Sequence, residues 1–201
     1  MNHTTEHNES DRRLVQSVLS GNTNAFGTII KNTESLVAQI VFKLVENKED
    51  RRDLAQDVYL KAFASLAGFR FQARLSTWIA QIAYNTCLSY LQKKKLVLAG
   101  DSDESEDDYS GLAIENDPET LSPDAENLFV KKQQAGILQQ EIERLPPLFK
   151  TLITLFHNEQ LSYEEISIIM NLPSGTLRSY LFRARKMLRT NLLLKYKKDE
   201  L

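Results

Sequence analysis

The chain has 201 residues, 42% hydrophobic and 26% charged with a formal net charge of −2, which is room for one or two small cores. No run approaches the roughly 18 to 20 uninterrupted apolar residues that span a bilayer, and the opening MNHTTEHNESDRR has no apolar segment of signal-peptide type, so a cytoplasmic protein is expected. A single cysteine, Cys87, cannot close an internal disulfide, and His3, His7 and His157 are too scattered for a metal cage, so no metal and no cofactor are expected.

The small net charge hides a lopsided distribution. Residues 1–99 carry 13 basic against 9 acidic side chains, residues 100–127 carry 11 acidic and no basic ones, and residues 128–201 carry 12 basic against 7 acidic. Two basic bodies thus flank an acidic strap, a pattern in which a nucleic-acid-binding face is masked by acid elsewhere.

The first ten residues read as a disordered N-terminus, and residues 11–96 as one helical domain. Apolar residues three or four apart predict helices over about 11–20, ended by Gly21, then 23–32, 34–46, 50–66 and 76–95. In the fourth, Leu54, Ala55, Val58, Tyr59, Ala62, Phe63 and Leu66 make the apolar face, opposite the polar residues Asp53, Gln56, Asp57 and Lys61. Between the fourth and fifth helices runs Gly68-Phe69-Arg70-Phe71-Gln72-Ala73-Arg74-Leu75, aromatics mixed with arginines, ending at Ser76 as a candidate N-cap. Such a loop can stack on bases and clamp them. Trp78 in the fifth helix reads either as core or as a ligand contact, and Lys93, Lys94 and Lys95 either as a solvated helix end favoured by the dipole or as a phosphate site.

Residues 97–127 read as a linker, since like charges, Gly, Ser and Pro leave too little apolar surface to offset the entropy of ordering. Leu112, Ala113, Ile114 and Leu121 leave open whether part of it docks on a partner. A second helical domain is expected over 128–201, with a helix at about 124–144 broken by Pro146 and Pro147, and a short apolar helix at about 147–157. Ser162 and Glu165 form a capping box, Asn171 can take the left-handed C-cap, and Leu172-Pro173-Ser174 makes a tight turn into a second, longer helix. Helix, short turn, then a longer helix from Gly175 to Lys198 bearing Arg178, Arg183, Arg185, Lys186, Arg189, Lys195, Lys197 and Lys198 with no acid is a helix-turn-helix pattern. Leu177, Leu181, Ala184 and Leu188 supply its packing stripe. No strand alternation is evident, so the fold class is all-α: two small helical domains joined by an acidic flexible linker, the second a helix-turn-helix.

At the level of motifs, LPPLFK (145–150), LSYEEI (161–166) and GTLRSYLFRARKMLR (175–189) resemble region 4 of the extracytoplasmic-function sigma factors, and DLAQDVY (53–59) with STWIAQIAYN (76–85) resembles their region 2. The two motifs stand in the family's order on either side of a linker. The resemblance implies promoter recognition and transcription initiation with RNA polymerase core and promoter DNA as partners, an anti-sigma factor as a further one, no small-molecule substrate and no catalysis. It places Asp53, Leu54, Gln56 and Asp57 against a basic helical hairpin of the large polymerase subunit. For the −10 element it implies Arg70, Phe71, Gln72, Arg74, Ser76, Thr77, Trp78, Gln81 and Asn85, the loop holding an unstacked base. For the −35 element it implies Ser174, Gly175, Thr176, Arg178, Ser179, Tyr180, Phe182, Arg183, Arg185 and Lys186, with the last two toward phosphates. The acidic strap would thread through the polymerase's positive interior. The chain departs from the family pattern in four places: Tyr180 stands for a frequent arginine, which would alter −35 preference, Asn171 for a frequent glycine, the 93–95 lysines for an arginine-rich stretch, and His157-Asn158-Glu159-Gln160 for an aromatic-containing turn.

Three other readings compete. A helix-turn-helix regulator that never meets polymerase would share the C-terminal half. An enzyme would use Asp53 and Asp57 as paired carboxylates or Cys87 as nucleophile, but carboxylates one turn apart on an exposed face are usually solvated, and no histidine is near Cys87 in sequence. A helical scaffold would bind DNA with little response to salt, whereas several phosphate contacts release counterions and make affinity fall steeply.

Overall fold

A computed structural model describes residues 2–98 and 125–196, with side chains from 9 to 95 and from 134 to 196. Most of the acidic strap, together with Lys197 and Lys198, lies outside the described residues. All regular structure among the described residues is helical: α1 (Asn2–Leu19), α2 (Thr23–Leu44), α3 (Lys48–Ser65), α4 (Leu75–Leu98), α5 (Ala125–Glu143), α6 (Pro147–Ile153), α7 (Tyr163–Met170) and α8 (Ser174–Lys195).

The elements follow from local chemistry. Gly21, at φ 100°, ends α1 as expected. Helix α1 itself starts at Asn2, not near residue 11, so the expected disordered N-terminus is helical from its second residue. The expected pair 23–32 and 34–46 is one helix, α2, because Thr33 in its middle is satisfied there. Its hydroxyl donates to the Ile29 carbonyl at 2.8 Å and lies 3.1 Å from the Tyr59 hydroxyl of α3. Asn47 caps α3 by accepting from the Glu49 amide. Pro147 opens α6 at its first turn. The 162–165 capping box is present in both directions, at 3.0 and 3.2 Å, and Asn171 takes the left-handed cap of α7 at φ 52°. The departure at His157–Gln160 acquires a physical form: Thr154–Asn158 is one π-helical turn, followed by Gln160 at φ 52°.

In the first module, α4 packs on α2 and α3, with α1 laid across α2. Ile40, Val58, Ala62, Ile79, Ala80, Ala83 and Cys87 are fully enclosed. In the second, α6, α7 and α8 enclose Leu152, Leu155, Ile166, Ile169, Leu177 and Leu181. Glu141 of α5 ties in the far end of α8: it accepts from Lys195 at 2.9 Å and pairs with Arg144, and the Lys195 hydrogen bond is the main reason its carboxyl is held below the usual range.

The two modules touch. Helix α7 lies along α4, and α6 packs on α2. Lys43 of α2, almost wholly buried, pairs with Glu143 of α5, whose other oxygen lies 3.9 Å from Lys150 of α6. Burial pushes the Glu143 carboxyl up, but the bond and charge of Lys43, with Lys150 and Gln139, together outweigh this and leave it lowered.

Leu177 is fully buried and Leu194, on the same helix, is 79% exposed. Leu177→Ala is therefore expected to lower unfolding free energy by about 2 to 5 kcal/mol, and Leu194→Ala by less than about 0.5 kcal/mol, as read by urea titration of the helical signal.

Candidate nucleic-acid interface

The loop 69–74 is built on stacked rings. Phe69 is buried, with Phe71 at 4.6 Å and Trp78 at 5.1 Å between centroids, so Trp78 belongs to the wall of the loop as well as to the core edge. Phe71 adopts φ 56°, a conformation that costs an aromatic residue energy and persists where neighbours over-determine it. Beside these rings is a cavity of about 340 Å³ lined by Gly68, Phe69, Arg70, Gln72, Trp78 and Gln81, with Ile168 of α7 as its far wall. An apolar plane flanked by arginine and amide groups is the surface that an unstacked base requires.

The residues expected at the −10 element come together here with unequal exposure. Arg70, Gln72, Arg74 and Asn85 are exposed, and Phe71, Ser76, Trp78 and Gln81 are half-buried. Thr77 is buried with a hydroxyl that has no hydrogen-bond partner. Two expectations need correction. Ser76 does not cap α4, which begins one residue earlier at Leu75, where the amide donates instead to Asp11 of α1 at 2.9 Å. Thr77 offers no accessible side chain in this arrangement.

Helix α7 covers part of this face. Gln81 donates to the Ile168 carbonyl at 2.9 Å, and the Arg74 guanidinium lies 3.6 Å from Glu165. Farther along α4, Tyr84 is pushed up to about 12, by burial first and then by Tyr180 of α8. Ile168 and Glu165 were not legible as part of this face, since only the packing of the two modules brings them to it.

On α3, Asp53, Gln56 and Asp57 are exposed and share one side of the helix, as expected. Leu54 is buried in the core, so it supports this surface from beneath and is not part of it. Leu60, 68% exposed, continues the polar stripe one turn on and was missed. Its signal was present: an apolar residue outside the 54, 58, 62, 66 core stripe.

On α8, Ser174, Gly175, Arg178, Ser179, Arg185 and Lys186 are exposed, and Thr176, Phe182 and Arg183 half-buried. Arg178 sits 5.6 Å above the Tyr163 ring, an orientation that fixes its guanidinium at the surface. Arg185 is held over Phe156 at 5.3 Å and lies 3.4 Å from His157, so the π-turn braces it from behind. Tyr180 departs from its expected place. Its ring meets Phe149 edge-on at 6.1 Å and neighbours Tyr84, which puts it at the contact between modules and off the Arg178–Ser179 side.

Residues 29–97 match the sigma-70 region 2 family and residues 135–188 the sigma-70 region 4 family. The chain is 36% identical over 180 residues to the extracytoplasmic-function (ECF) RNA polymerase sigma-E factor of Escherichia coli K12, covering 88% of this chain and 91% of that one. This chain belongs to the ECF sigma factors. It is also 31% identical over 184 residues to the RNA polymerase sigma-H factor of Pseudomonas aeruginosa, covering 89% and 91% of the two chains. Its fold is shared with CnrH, solved with the cytosolic domain of CnrY (TM-score 0.62, 18% identity, 92% of this chain and 99% of that one). It is also shared with the sigma factor RpoE of Bartonella quintana, solved with the anti-sigma factor NepR (TM-score 0.60, 20% identity, 85% and 98%). As a sigma factor the chain acts in promoter recognition at the start of transcription, and the rival reading as a regulator independent of polymerase is not favoured.

No described helix is long and apolar enough to cross a membrane, and no cluster of three or more His, Cys, Asp or Glu among the described residues is placed to hold a metal. Cys87 is fully buried, and burial pushes its thiol up to about 11, with Lys61 only partly offsetting this. A thiol held protonated at neutral pH is a poor nucleophile. Native protein is expected to resist alkylation by iodoacetamide at pH 7.5 and to react stoichiometrically once unfolded in urea. Rapid labelling of folded protein would contradict this placement of Cys87.

Proposed function

We propose that this sigma factor divides promoter recognition among three surfaces: the exposed α3 face for polymerase core, the loop 69–74 with α4 for one unstacked base and the melted strand of the −10 element, and α8 for the duplex −35 element. The observation that carries the reading is that these surfaces are chemically distinct and separately placed. Helix α8 bears six basic residues and no acid over its 22 residues, and α3 presents Asp53 and Asp57 to solvent beside Leu60.

On α8, Arg178 and Arg183 are the base-reading candidates, with Ser179 and Phe182 beside them, while Lys186 and the braced Arg185 face phosphates. On α3, the carboxylates would meet a basic hairpin of the large polymerase subunit through charge-assisted bonds, with Leu60 adding apolar contact. Such a protein works in the cytoplasm, where its polymerase is, and contributes binding and strand selection with no catalytic step of its own.

In the arrangement described, the α3 and α8 surfaces are open while α7 occupies the −10 face. Full promoter engagement therefore requires α7 to leave α4. An anti-sigma partner that prefers the closed arrangement would hold the chain inactive. The groove between α5 and α8, walled by Ala135, Leu138, Leu188 and Leu192 and flanked by Arg185 and Arg189, suits an amphipathic helix with acidic flanks.

Asp53→Lys with Asp57→Lys is expected to reduce affinity for core polymerase by more than about tenfold, leaving binding of duplex −35 DNA unchanged. Equal core affinity would favour a regulator that never meets polymerase. Glu143→Lys sets like charges against Lys43 and Lys150. It should expand the chain in small-angle scattering and tighten binding of a single-stranded −10 oligonucleotide, and an unchanged radius with unchanged affinity would contradict the closed arrangement. Arg183→Ala should weaken −35 binding by about 1 to 3 kcal/mol and relax preference at one base. Equal losses on all sequences would make Arg183 a phosphate contact.

A further inference from the structure

Two residues of α1 reach the loop that walls the base-sized cavity. Asp11 accepts the Leu75 amide at 2.9 Å from 64 positions away in sequence, at the point where α4 begins. Next to it, the Arg12 guanidinium lies 5.3 Å from the centroid of the Phe71 ring. The four planar groups Arg12, Phe71, Phe69 and Trp78 thus form one continuous run of contacts from α1 to α4.

The chemistry explains why help is needed from outside. The first amides of a helix lack intrahelical acceptors and carry its positive end, so an anionic side chain is the best partner for them. Neither Ala73 nor Arg74, the residues leading into α4, has a side-chain acceptor, and Ser76 already lies inside the helix. The loop also carries Phe71 at φ 56°, which only external contacts can hold for an aromatic side chain. Asp11 fixes one end of the loop and Arg12 its strained middle. The match to the region 2 family begins at residue 29, so this brace comes from a part of the chain outside the matched segment.

We propose that Asp11 and Arg12 are positioning residues, holding the loop 69–74 in the one shape that receives a base, and that α1 thereby sets the selectivity of −10 recognition without touching DNA. The proposal rests on the loop's reading as a base receptor, and its test separates the two. Trp78 is the chain's single tryptophan and stacks on Phe69, so its fluorescence reports the loop directly.

The full chain is compared with Asp11→Ala, Asp11→Asn, Arg12→Ala and, as a loop control, Gln72→Ala. Acrylamide quenching of Trp78 is measured on the free chain. Affinity for single-stranded oligonucleotides varied one base at a time across the −10 element is measured on each chain assembled with core polymerase. Asp11→Ala is expected to raise quenching and to flatten preference at one position by about fivefold, the size of a lost N-cap, with core affinity and −35 affinity unchanged. Asp11→Asn, which keeps an acceptor oxygen, should restore most of that preference, and Arg12→Ala should resemble Asp11→Ala.

A uniform loss across all positions, or wild-type quenching and preference in both alanine variants while Gln72→Ala changes preference, overturns the positioning role and leaves the loop's reading intact. If Gln72→Ala and the α1 variants all keep wild-type preference although quenching rises, the loop is braced but reads no base, and both ideas fall. Should Asp11→Ala not fold, Asp11→Asn and Arg12→Ala carry the same comparison.

Discussion

Everything in this molecule depends on how α4 is seated. Its stripe of Ile79, Ala80, Ala83 and Cys87 is fully buried where α4 packs on α2 and α3, and a helix that buries one face has the direction of its opposite face set by that packing. That seating turns Gln81 and Asn85 away from the core, beside Arg74 at the end of the preceding loop. Ala80 and Ala83 stand on the buried side, so a larger side chain there would displace the exposed face as well as strain the core. Recognition of nucleic acid by such a surface needs no moving parts within the module, only a fixed plane of rings, amides and guanidinium groups.

The same face has two claimants. Glu165 and the Ile168 carbonyl satisfy Arg74 and Gln81 in a way that a phosphate and a base edge would also satisfy them. The contacts across the modules include a half-exposed Arg74–Glu165 pair, the Gln81 amide bonded to the Ile168 carbonyl, and buried Lys43 paired with exposed Glu143, beside apolar side chains of both modules that share one continuous core cluster. Exposed polar pairs of this kind add little stability, and a partner of greater charge can replace them. In the described arrangement Asp53, Gln56 and Asp57 of α3 and Arg178, Ser179, Arg185 and Lys186 of α8 are exposed, while α7 lies along α4. The acidic strap between the modules carries 11 acidic residues and no basic one over 100–127.

Much of this was legible in the sequence because the signals were local. The capping box at Ser162, the left-handed Asn171 and the apolar stripe of α8 are short-range chemistry, and each stands where its pattern put it. The exposed acids of α3 follow from helical periodicity alone. The misses were long-range. Ser76 looked like a cap because its residue type is right, but a carboxylate from α1 holds the helix one residue earlier. Thr33 let α2 continue through an expected break, since its hydroxyl found Ile29 and Tyr59. Tyr180 was expected at DNA, but its half-buried ring meets Phe149 of α6 edge-on, a partner that no local pattern names. Periodicity says which side of a helix is buried, and says nothing of which distant element buries it.

The central claim is that one chain joins polymerase core to two separated patches of promoter. It is tested most directly by adding the purified chain to core polymerase from the same cell and mapping transcript starts on genomic DNA. Starts clustered at fixed distances downstream of a shared pair of sequence elements are expected. Starts scattered as with core alone would contradict it.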